Sequence, residues 1–571
     1  MADSRPWPRR IVICCDGTWQ SSVSLRDNVP SNVTKLCRHI ARMGSDSTDS
    51  SKKFHQLVYY DSGIGTGNLS SVEAKRQGGT GAGLTENVAE AYNFIVLNYQ
   101  PGDEIFCFGF SRGAYTARAV AGLVTDIGVI EPRYMQLFPE IYRAYMQNEE
   151  GEDFRQSKAW LEFVNGKLSK KGKELEKRGG RWSEREQIEG WEIRPHGELA
   201  VSEESRKVKV VGVWDTVGSL GIPDVAWFDN ANFRVKFGFH NVKLSDNIEH
   251  AYHALALDER RGAFRPTLWW TKKTSPTELK QVWFPGVHIN CGGGSDDAIT
   301  EMKGDIENLS NATVAWMLQC IAPHLTLDRG AFNQSMAQYQ RWLNHIRFAC
   351  TYHHEGWIDW AKNKIPNIPF INPAEDELTP PKRDPPHEHL GFDYGWGTGP
   401  IVDSYTGLYK LQSAEPRIPG KTKAEVYDKA AKAYKLEPMA NHGLTYEYIH
   451  PICHYRKVIR NDTNSALKGW ERRHKKTSGD KGRYWWYNGK DDKDPLPEWV
   501  ILKDDHMGQD DPNAGINFER YWYNFTEKPD EHLEKLKGLG YKKDYLVSLD
   551  EATDFEVAVK EGGGYPTKPS A

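Results

Sequence analysis

A doubly wound α/β fold with a mostly parallel sheet is what this sequence predicts, and three observations carry the prediction. Short, strongly apolar runs recur along the N-terminal half, each closing on small or polar residues. Between some of them lie stretches whose apolar residues recur at helical spacing. Strands buried on both faces read as continuous apolar runs, and strands alternating with helices make a parallel sheet that binds ligands at its carboxyl edge.

The runs are IVICCDGTW (11–19), QLVYYDSGIGTG (56–67), EIFCFGFSRG (104–113), VKVVGVWDTVGSLG (208–221) and QVWFPGVHINCGGG (281–294). In LTENVAEAYNFIVLNY, Val88, Ala91, Tyr92 and Ile95 share one helical face. After Ser111, the residues Ala114, Ala117, Val120, Ala121, Val124 and Ile127 form a second stripe. Two stretches break the pattern. Residues 169–205 are dense in charge and poor in aliphatics, as an exposed insertion, a partly helical arm or a partly disordered segment would be; their place between the nucleophile and acid strands makes a lid over the cleft one candidate role. Residues 372–388, NPAEDELTPPKRDPPHE, are Pro-rich and acidic, like a linker.

The expected organisation is therefore a catalytic domain over 9–370, a Pro-rich linker with late catalytic-domain segments over 371–456, a Trp-rich subdomain over 457–557 and a flexible tail over 558–571. The chain carries 20 Trp among its 571 residues, so this last third either packs a core or lines an apolar or sugar-binding surface. A net charge of -4 gives no electrostatic case for nucleic acid. The eight cysteines have no C-x-x-C pairing and several sit inside apolar runs, as reduced thiols do. MADSRPWPRR passes straight into IVICC without a signal-peptide core, and no run approaches the ~18 apolar residues of a membrane span. The expectation is a cytoplasmic chain without a transmembrane segment, with peripheral membrane contact left open.

Gly109-Phe110-Ser111-Arg112-Gly113 has the form G-x-S-x-G between an apolar strand and an Ala-rich helix, the pattern of a nucleophile elbow. A strand that turns at once into a helix strains its apex residue and needs neighbours without side chains. The following helix N-terminus aims its amides at developing negative charge. A serine hydroxyl needs a histidine to take its proton and a carboxylate to orient that histidine, in the chain order Ser, Asp/Glu, His for α/β-hydrolases. Asp215, after VVGVW, and His288, after VWFPGV, supply that order at strand ends. Asp215 also fits a helix-capping role. His450 in YIHPICHYR is the chief rival base, and His353 and His354 are weaker ones. For the oxyanion, the amide of Arg112 pairs with that of Gly17 or Thr18, with Asp16 anchoring their turn. The loop 61–65, DSGIG, is an alternative donor.

Other chemistries lack their spacing. GGTGAGL and SGIGTGN satisfy neither G-x-G-x-x-G nor a P-loop, and H-E-x-x-H is missing, so neither a cofactor nor a zinc site is expected.

CCDGTW, YYDSGIGT, GFSRGAYTAR, VVGVWDTVGSLG, ALDERRGAFRPTLW, VWFPGVH and GGG follow one another in order. Together they resemble the α/β-hydrolase family that includes the phospholipase effectors of bacterial type VI secretion and many uncharacterised fungal proteins. The resemblance runs over 11–322, with fainter similarity in GPIVDSYTGLYKL and EYIHPICHYR. It implies Ser111 as nucleophile, Asp215 as acid and His288 as base. One position departs from the family: where it reads His-Ser-Asp-Val-Gly-Gly-Gly, this chain has Asn290 in place of the carboxylate. If that carboxylate supports the imidazole, the site here is weakened or its specificity altered, because an amide can accept a hydrogen bond but cannot stabilise imidazolium by charge. The function expected is thus a serine hydrolase of carboxylic esters, with lipid or phospholipid substrates implied by the resemblance. The competing readings are a non-catalytic lipid-, glycan- or protein-binding module on the same scaffold, and a thioesterase or amidase.

Overall fold

The computed structural model describes residues 7–17, 29–62, 82–146, 153–217, 243–294, 307–339, 396–401, 403–406, 410, 414–428, 433–460, 466–475, 483–489, 492–501 and 518–526. The expected linker at 372–388, the tail, Thr18, the glycines at 63 and 65, His353 and His354 lie outside the described residues.

The strands in chain order are β1 (Arg9–Cys15), β2 (Met43–Ser45), β3 (Lys53–Asp61), β4 (Glu104–Phe110), β5 (Lys167–Leu168), β6 (Trp191–Ile193), β7 (Val208–Trp214), β8 (Ile248–Ala256), β9 (Glu278–Phe284), β10 (Lys423–Asp428), β11 (Ala433–Pro438), β12 (Glu447–Ile449), β13 (Trp470–Lys475), β14 (Arg483–Asn488) and β15 (Leu496–Pro497). The helices used below are α1 (Asn32–His39), α2 (Ala82–Asn98), α3 (Arg112–Ile127), α4 (Phe138–Met146), α5 (Lys158–Asn165), α6 (Lys170–Arg178), α7 (Glu184–Glu189), α8 (His288–Gly292), α9 (Glu307–Ile321), α10 (Ile452–Arg460) and α11 (Phe518–Thr526).

Eight strands form one sheet in the order β12-β9-β8-β7-β4-β1-β3-β2. Each pairing is parallel except β2 against β3. This is the expected α/β-hydrolase-like sheet, and its five predicted apolar runs are β1, β3, β4, β7 and β9.

Successive side chains of a strand point to opposite faces, so each strand feeds two cores. Val12, Cys14, Phe106 and Phe108 pack on one face with Trp316, Met317 and Leu318 of α9. Ile11, Ile13, Cys15, Ile105 and Cys107 pack on the other with Val88, Ala91, Tyr92 and Ile95 of α2 and the whole predicted stripe of α3. Burying such a residue stabilises the fold by about 1.5–3 kcal/mol, and the inner stretches 11–15, 105–110 and 210–214 of the central strands are accordingly apolar on both faces.

β8 escaped the sequence reading because IEHAYHALA is interrupted by charge and two histidines. One of them, His253, is fully buried and satisfied. Its Nε2 accepts from the Thr216 amide at 3.2 Å, and Nδ1 meets Gln281 Oε1 at 3.2 Å.

Two expectations need correction. Among the described residues, tryptophans of the Trp-rich region pack into the catalytic core. Trp486, Trp499 and Trp522 belong to the same apolar cluster as the sheet, Trp499 meets Trp316 edge-on at 6.1 Å, and the Trp499 amide donates to the Ile449 carbonyl at 2.9 Å. Their burial also removes them from any ligand-binding surface.

The insertion 169–205 folds as α6 and α7 against a two-stranded β5–β6 ribbon. It is tied down at the far end of α3. The Val201 amide donates to Val129 O at 2.8 Å, Arg206 Nε donates to Thr125 O at 2.8 Å, and Ile130 bridges Ala200. A 16-residue helix is about 24 Å long, so these anchors sit at the sheet edge opposite Ser111, and the lid reading loses its ground. No helix among the described residues is long and apolar enough to cross a membrane.

Candidate active site

β4 lies at the centre of the sheet between β1 and β7, and Ser111 is the one residue separating it from α3. Its backbone sits at φ 56° and ψ -121°, a conformation that L-residues other than Gly rarely adopt. The turn is held from both sides: the Ser111 amide donates to the Trp214 carbonyl at 3.1 Å, and its carbonyl accepts from Tyr115 at 3.3 Å. Both flanking glycines are required by close approach. A Cβ on Gly109 would lie 2.3 Å from Gly113 O, and one on Gly113 would lie 2.2 Å from Cys15 O.

Across the carboxyl edge, three side chains from three strand ends meet. His288, which opens α8 just after β9, has its Nε2 2.7 Å from Ser111 Oγ. Its Nδ1 is 2.7 Å from Asp215 Oδ2. Asp215 follows β7 at φ 42°, and its Oδ1 accepts from the Ala256 amide at 3.0 Å. Asp215 therefore faces the imidazole rather than capping the next segment. Exposure is 8% at Ser111, 6% at His288 and nil at Asp215, so the hydroxyl end faces the cleft and the carboxylate is sealed.

Rings frame the imidazole. Phe110 lies 4.8 Å from it and Phe264 stands edge-on at 4.9 Å. Gly292 admits the Phe110 ring, since a Cβ there would stand 2.0 Å from it.

Burial dominates the acid–base character. It lowers the His288 pKa below its ordinary 6.5, against the opposing pull of Asp215, so the resting imidazole is neutral and fit to accept a proton. Burial alone would raise the Asp215 carboxyl. The Arg417 guanidinium and His288 outweigh it and hold Asp215 well below the usual carboxylate range. Burial likewise opposes ionisation of Glu259, which Arg261 nevertheless draws down to about 2.

Asn290, the position that departs from the family pattern, is occupied elsewhere. Its Oδ1 accepts from the Val287 amide at 3.1 Å and its Nδ2 donates to Pro400 O at 3.4 Å. It shapes the turn beneath His288, while the two imidazole nitrogens face Ser111 and Asp215.

On the oxyanion side, Arg112 heads α3, where first-turn amides lack intrahelical partners. Gly17 does not fit the second donor: its amide is turned into Asp16 Oδ1 at 2.7 Å. Asp16 Oδ2 also accepts from Ser31 at 2.6 Å, Tyr60 at 2.7 Å and Thr34 at 3.0 Å. These bonds tie the turn to α1 and β3.

His450 is not brought to this row of side chains. It lies in the C-terminal half of the core, with Nε2 3.0 Å from Glu519 Oε1, Nδ1 accepting from the Ile452 amide at 3.3 Å, and its ring stacked on Phe284.

Sequence reasoning missed three residues at the site. Arg417 forks onto Asp215, Nη1 to Oδ1 at 2.5 Å and Nη2 to Oδ2 at 3.0 Å. Glu259 accepts from the His288 amide at 3.2 Å. Phe264 walls the imidazole. Nothing local marks Arg417, which stands 202 positions from its partner in EPRIPG. Glu259 and Phe264 sit in the DERRGAFRP stretch, which carried the resemblance without either residue being singled out.

A family model described as the catalytic domain of Tle1-like phospholipase effectors of the type VI secretion system matches residues 9–320, more than half of the chain. The chain belongs to this family. An uncharacterized protein of Saccharomyces cerevisiae, YEL023C, is 26% identical over 276 residues, covering 45% of this chain and 32% of the yeast protein. The chain thus spans about a third of that relative's length. Among solved structures, a Tle1 effector bound to the VgrG spike of the type VI secretion system matches at 19% identity and a TM-score of 0.27, covering 51% of this chain and 52% of the other. An uncharacterized protein from Pseudomonas aeruginosa matches at 15% identity and a TM-score of 0.26, covering 54% and 45%. Ser111, Asp215 and His288 all fall within the span matched by the Tle1-like domain; Arg417 falls beyond it.

Proposed function

We propose that this chain hydrolyses carboxylic esters of lipids, phospholipids among them, by way of an acyl-enzyme on Ser111. The observation that carries the reading is the unbroken row Ser111–His288–Asp215, two contacts of 2.7 Å across three strand ends, with a strained elbow at its head. His288 Nε2 takes the Ser111 proton as Oγ attacks the ester carbonyl carbon. Negative charge gathers on the carbonyl oxygen beside the Arg112 amide, with a second donor from Thr18 or the 61–65 loop. Asp215 holds the imidazole in the tautomer that leaves Nε2 free to accept, and stabilises the imidazolium once formed. Collapse expels the alcohol, which leaves with the proton from His288. Water then enters, gives its proton to the same nitrogen, and releases the acid.

The row itself would serve esters, thioesters or amides; membership of the phospholipase-effector family is what points to lipid esters. A lipid substrate also implies contact with a membrane surface or lipid aggregate.

The test compares the purified protein with Ser111→Ala on p-nitrophenyl esters of graded chain length and on phospholipid vesicles. Loss of such a nucleophile costs about a million-fold in turnover. Ester hydrolysis retained by the variant would overturn the assignment.

A further inference from the structure

We propose that Arg417 is a positioning residue of the hydrolytic site, its guanidinium fork fixing the Asp215 carboxylate in the orientation that serves His288. This rests on the reading of Ser111, His288 and Asp215 as the reacting row. Arg417 is 5% exposed, and each of its terminal nitrogens is used twice. Nη1 donates to Asp215 Oδ1 and to Ala256 O, both at 2.5 Å. Nη2 donates to Asp215 Oδ2 at 3.0 Å and to Phe264 O at 2.6 Å. One side chain therefore ties together the acid, the end of β8 and the loop whose Phe264 ring walls the imidazole.

The delivery of Arg417 is equally specific. It stands between Pro416 and Pro419, whose fixed φ stiffens the chain. The approach to it is sewn to the loop after β8. Arg261 bridges Ala414, the Glu415 amide donates to Arg260 O at 2.8 Å, and Arg265 pairs with the Glu415 carboxylate at 2.6 Å. Beyond it, the Gly420 amide donates to Glu447 Oε2 at 2.8 Å. All of this lies outside the matched span 9–320, so on this reading the segment around Arg417 completes a catalytic unit whose boundary runs well past 370.

The physical need is clear. A fully buried carboxylate with only an amide and an imidazole as partners would tend to take up a proton, and a neutral acid cannot support imidazolium. A planar fork opposes this and sets the carboxylate plane, which a lysine's point charge cannot do. The same positive charge weakens the hold of Asp215 on a proton shared with His288, so the Asp215–His288 pair releases its proton at lower pH. The other groups facing the pair are His253 from β8, Cys291 from α8, and Glu259 and Arg261 from the loop after β8; the Arg417 charge lowers His253, Cys291 and Glu259 as well, in the same direction as it acts on the pair.

The experiment measures, on the full chain, the second-order rate of Ser111 labelling by a small fluorophosphonate as a function of pH, in the wild type, S111A, R417Q and R417K, with the folded fraction followed by circular dichroism. We expect R417Q to label at least about tenfold more slowly at pH 7, with its acid limb raised by about one pH unit or more. R417K should fall between the two. A role in stability alone would lower the melting temperature and leave the limb of the folded protein in place. An R417Q profile superposing on wild type, with S111A unlabelled, overturns the role of Arg417 and leaves the hydrolase reading intact. Labelling of S111A equal to wild type overturns both. Should R417Q fail to fold, R417K decides: an upward-shifted limb supports the role, and a wild-type profile overturns it.

Discussion

Gly113 packs so tightly on β1 that a Cβ at this position would come within 2.2 Å of the Cys15 carbonyl oxygen and 2.4 Å of that of Asp16. The elbow and the turn after β1 are thus one packed unit, and the second glycine of G-x-S-x-G is a spacing requirement between two main chains. Gly113→Ala should lower stability by about 1–3 kcal/mol, toward the upper figure because backbone rather than side chain must yield. Ester hydrolysis should fall with it, since Ser111 and the Arg112 amide would move. A urea midpoint equal to wild type would show that the two turns do not press on each other.

The pH response follows from opposed sets of buried groups. Burial pushes His39 down to about 4 and His253, His324 and His454 down to about 3. It also pushes the Asp61 and Asp126 carboxyls up to about 7. Between pH 6.5 and 4 the unfolded chain binds four imidazole protons that the native state refuses, while the native state keeps two carboxyl protons that the unfolded chain releases. Asp16 and Glu447, also raised by burial, keep protons in the native state in the same way. With His288, also lowered, counted, the unfolded state is left ahead by about one proton, so stability should fall by roughly 1–2 kcal/mol per pH unit on acidification through this window. Glu259, held at about 2, adds stability above its unfolded value of 4.5 and loses it only below. Urea unfolding at pH 7.5 and pH 5 checks the sign; equal or greater stability at pH 5 would contradict it. For the protein still folded, ester hydrolysis should remain at least half-maximal at pH 6.5.

Two buried histidines give opposite phenotypes. His450→Asn breaks the contact with Glu519 and should cost about 1–3 kcal/mol of stability as a lost buried hydrogen bond. Its kcat/KM on a p-nitrophenyl ester should stay within about tenfold of wild type, a 1.4 kcal/mol margin. His288→Asn should retain stability far better and lose turnover by about a million-fold. Side-by-side melting curves and ester kinetics check both, and the reverse pattern would make His450 the base.

The parts legible in the sequence are those written by local pattern. β1, β4, β7 and β9 stood out because a parallel strand covered on both faces must be apolar along its length. Ser111, Asp215 and His288 stood out because each follows such a run. β8 was hidden by histidines that are satisfied only through Thr216 and Gln281, partners remote in sequence. Arg417 was invisible for a stronger reason: its function depends on meeting Asp215 across the fold, and nothing in EPRIPG announces a fork onto a buried acid. The insertion at 169–205 misled because being between two strand ends in sequence does not say at which end of α3 the chain re-enters the sheet. Gly17 misled because Asp16 captures its amide, a competition that only geometry reveals.

The most direct measurement is the site of covalent capture. After reaction of the native protein with a fluorophosphonate, peptide mass spectrometry should find one stoichiometric adduct on Ser111, absent when His288 is replaced by Asn. An adduct on another residue, or unreacted Ser111 in a folded protein that still hydrolyses esters, would contradict the account.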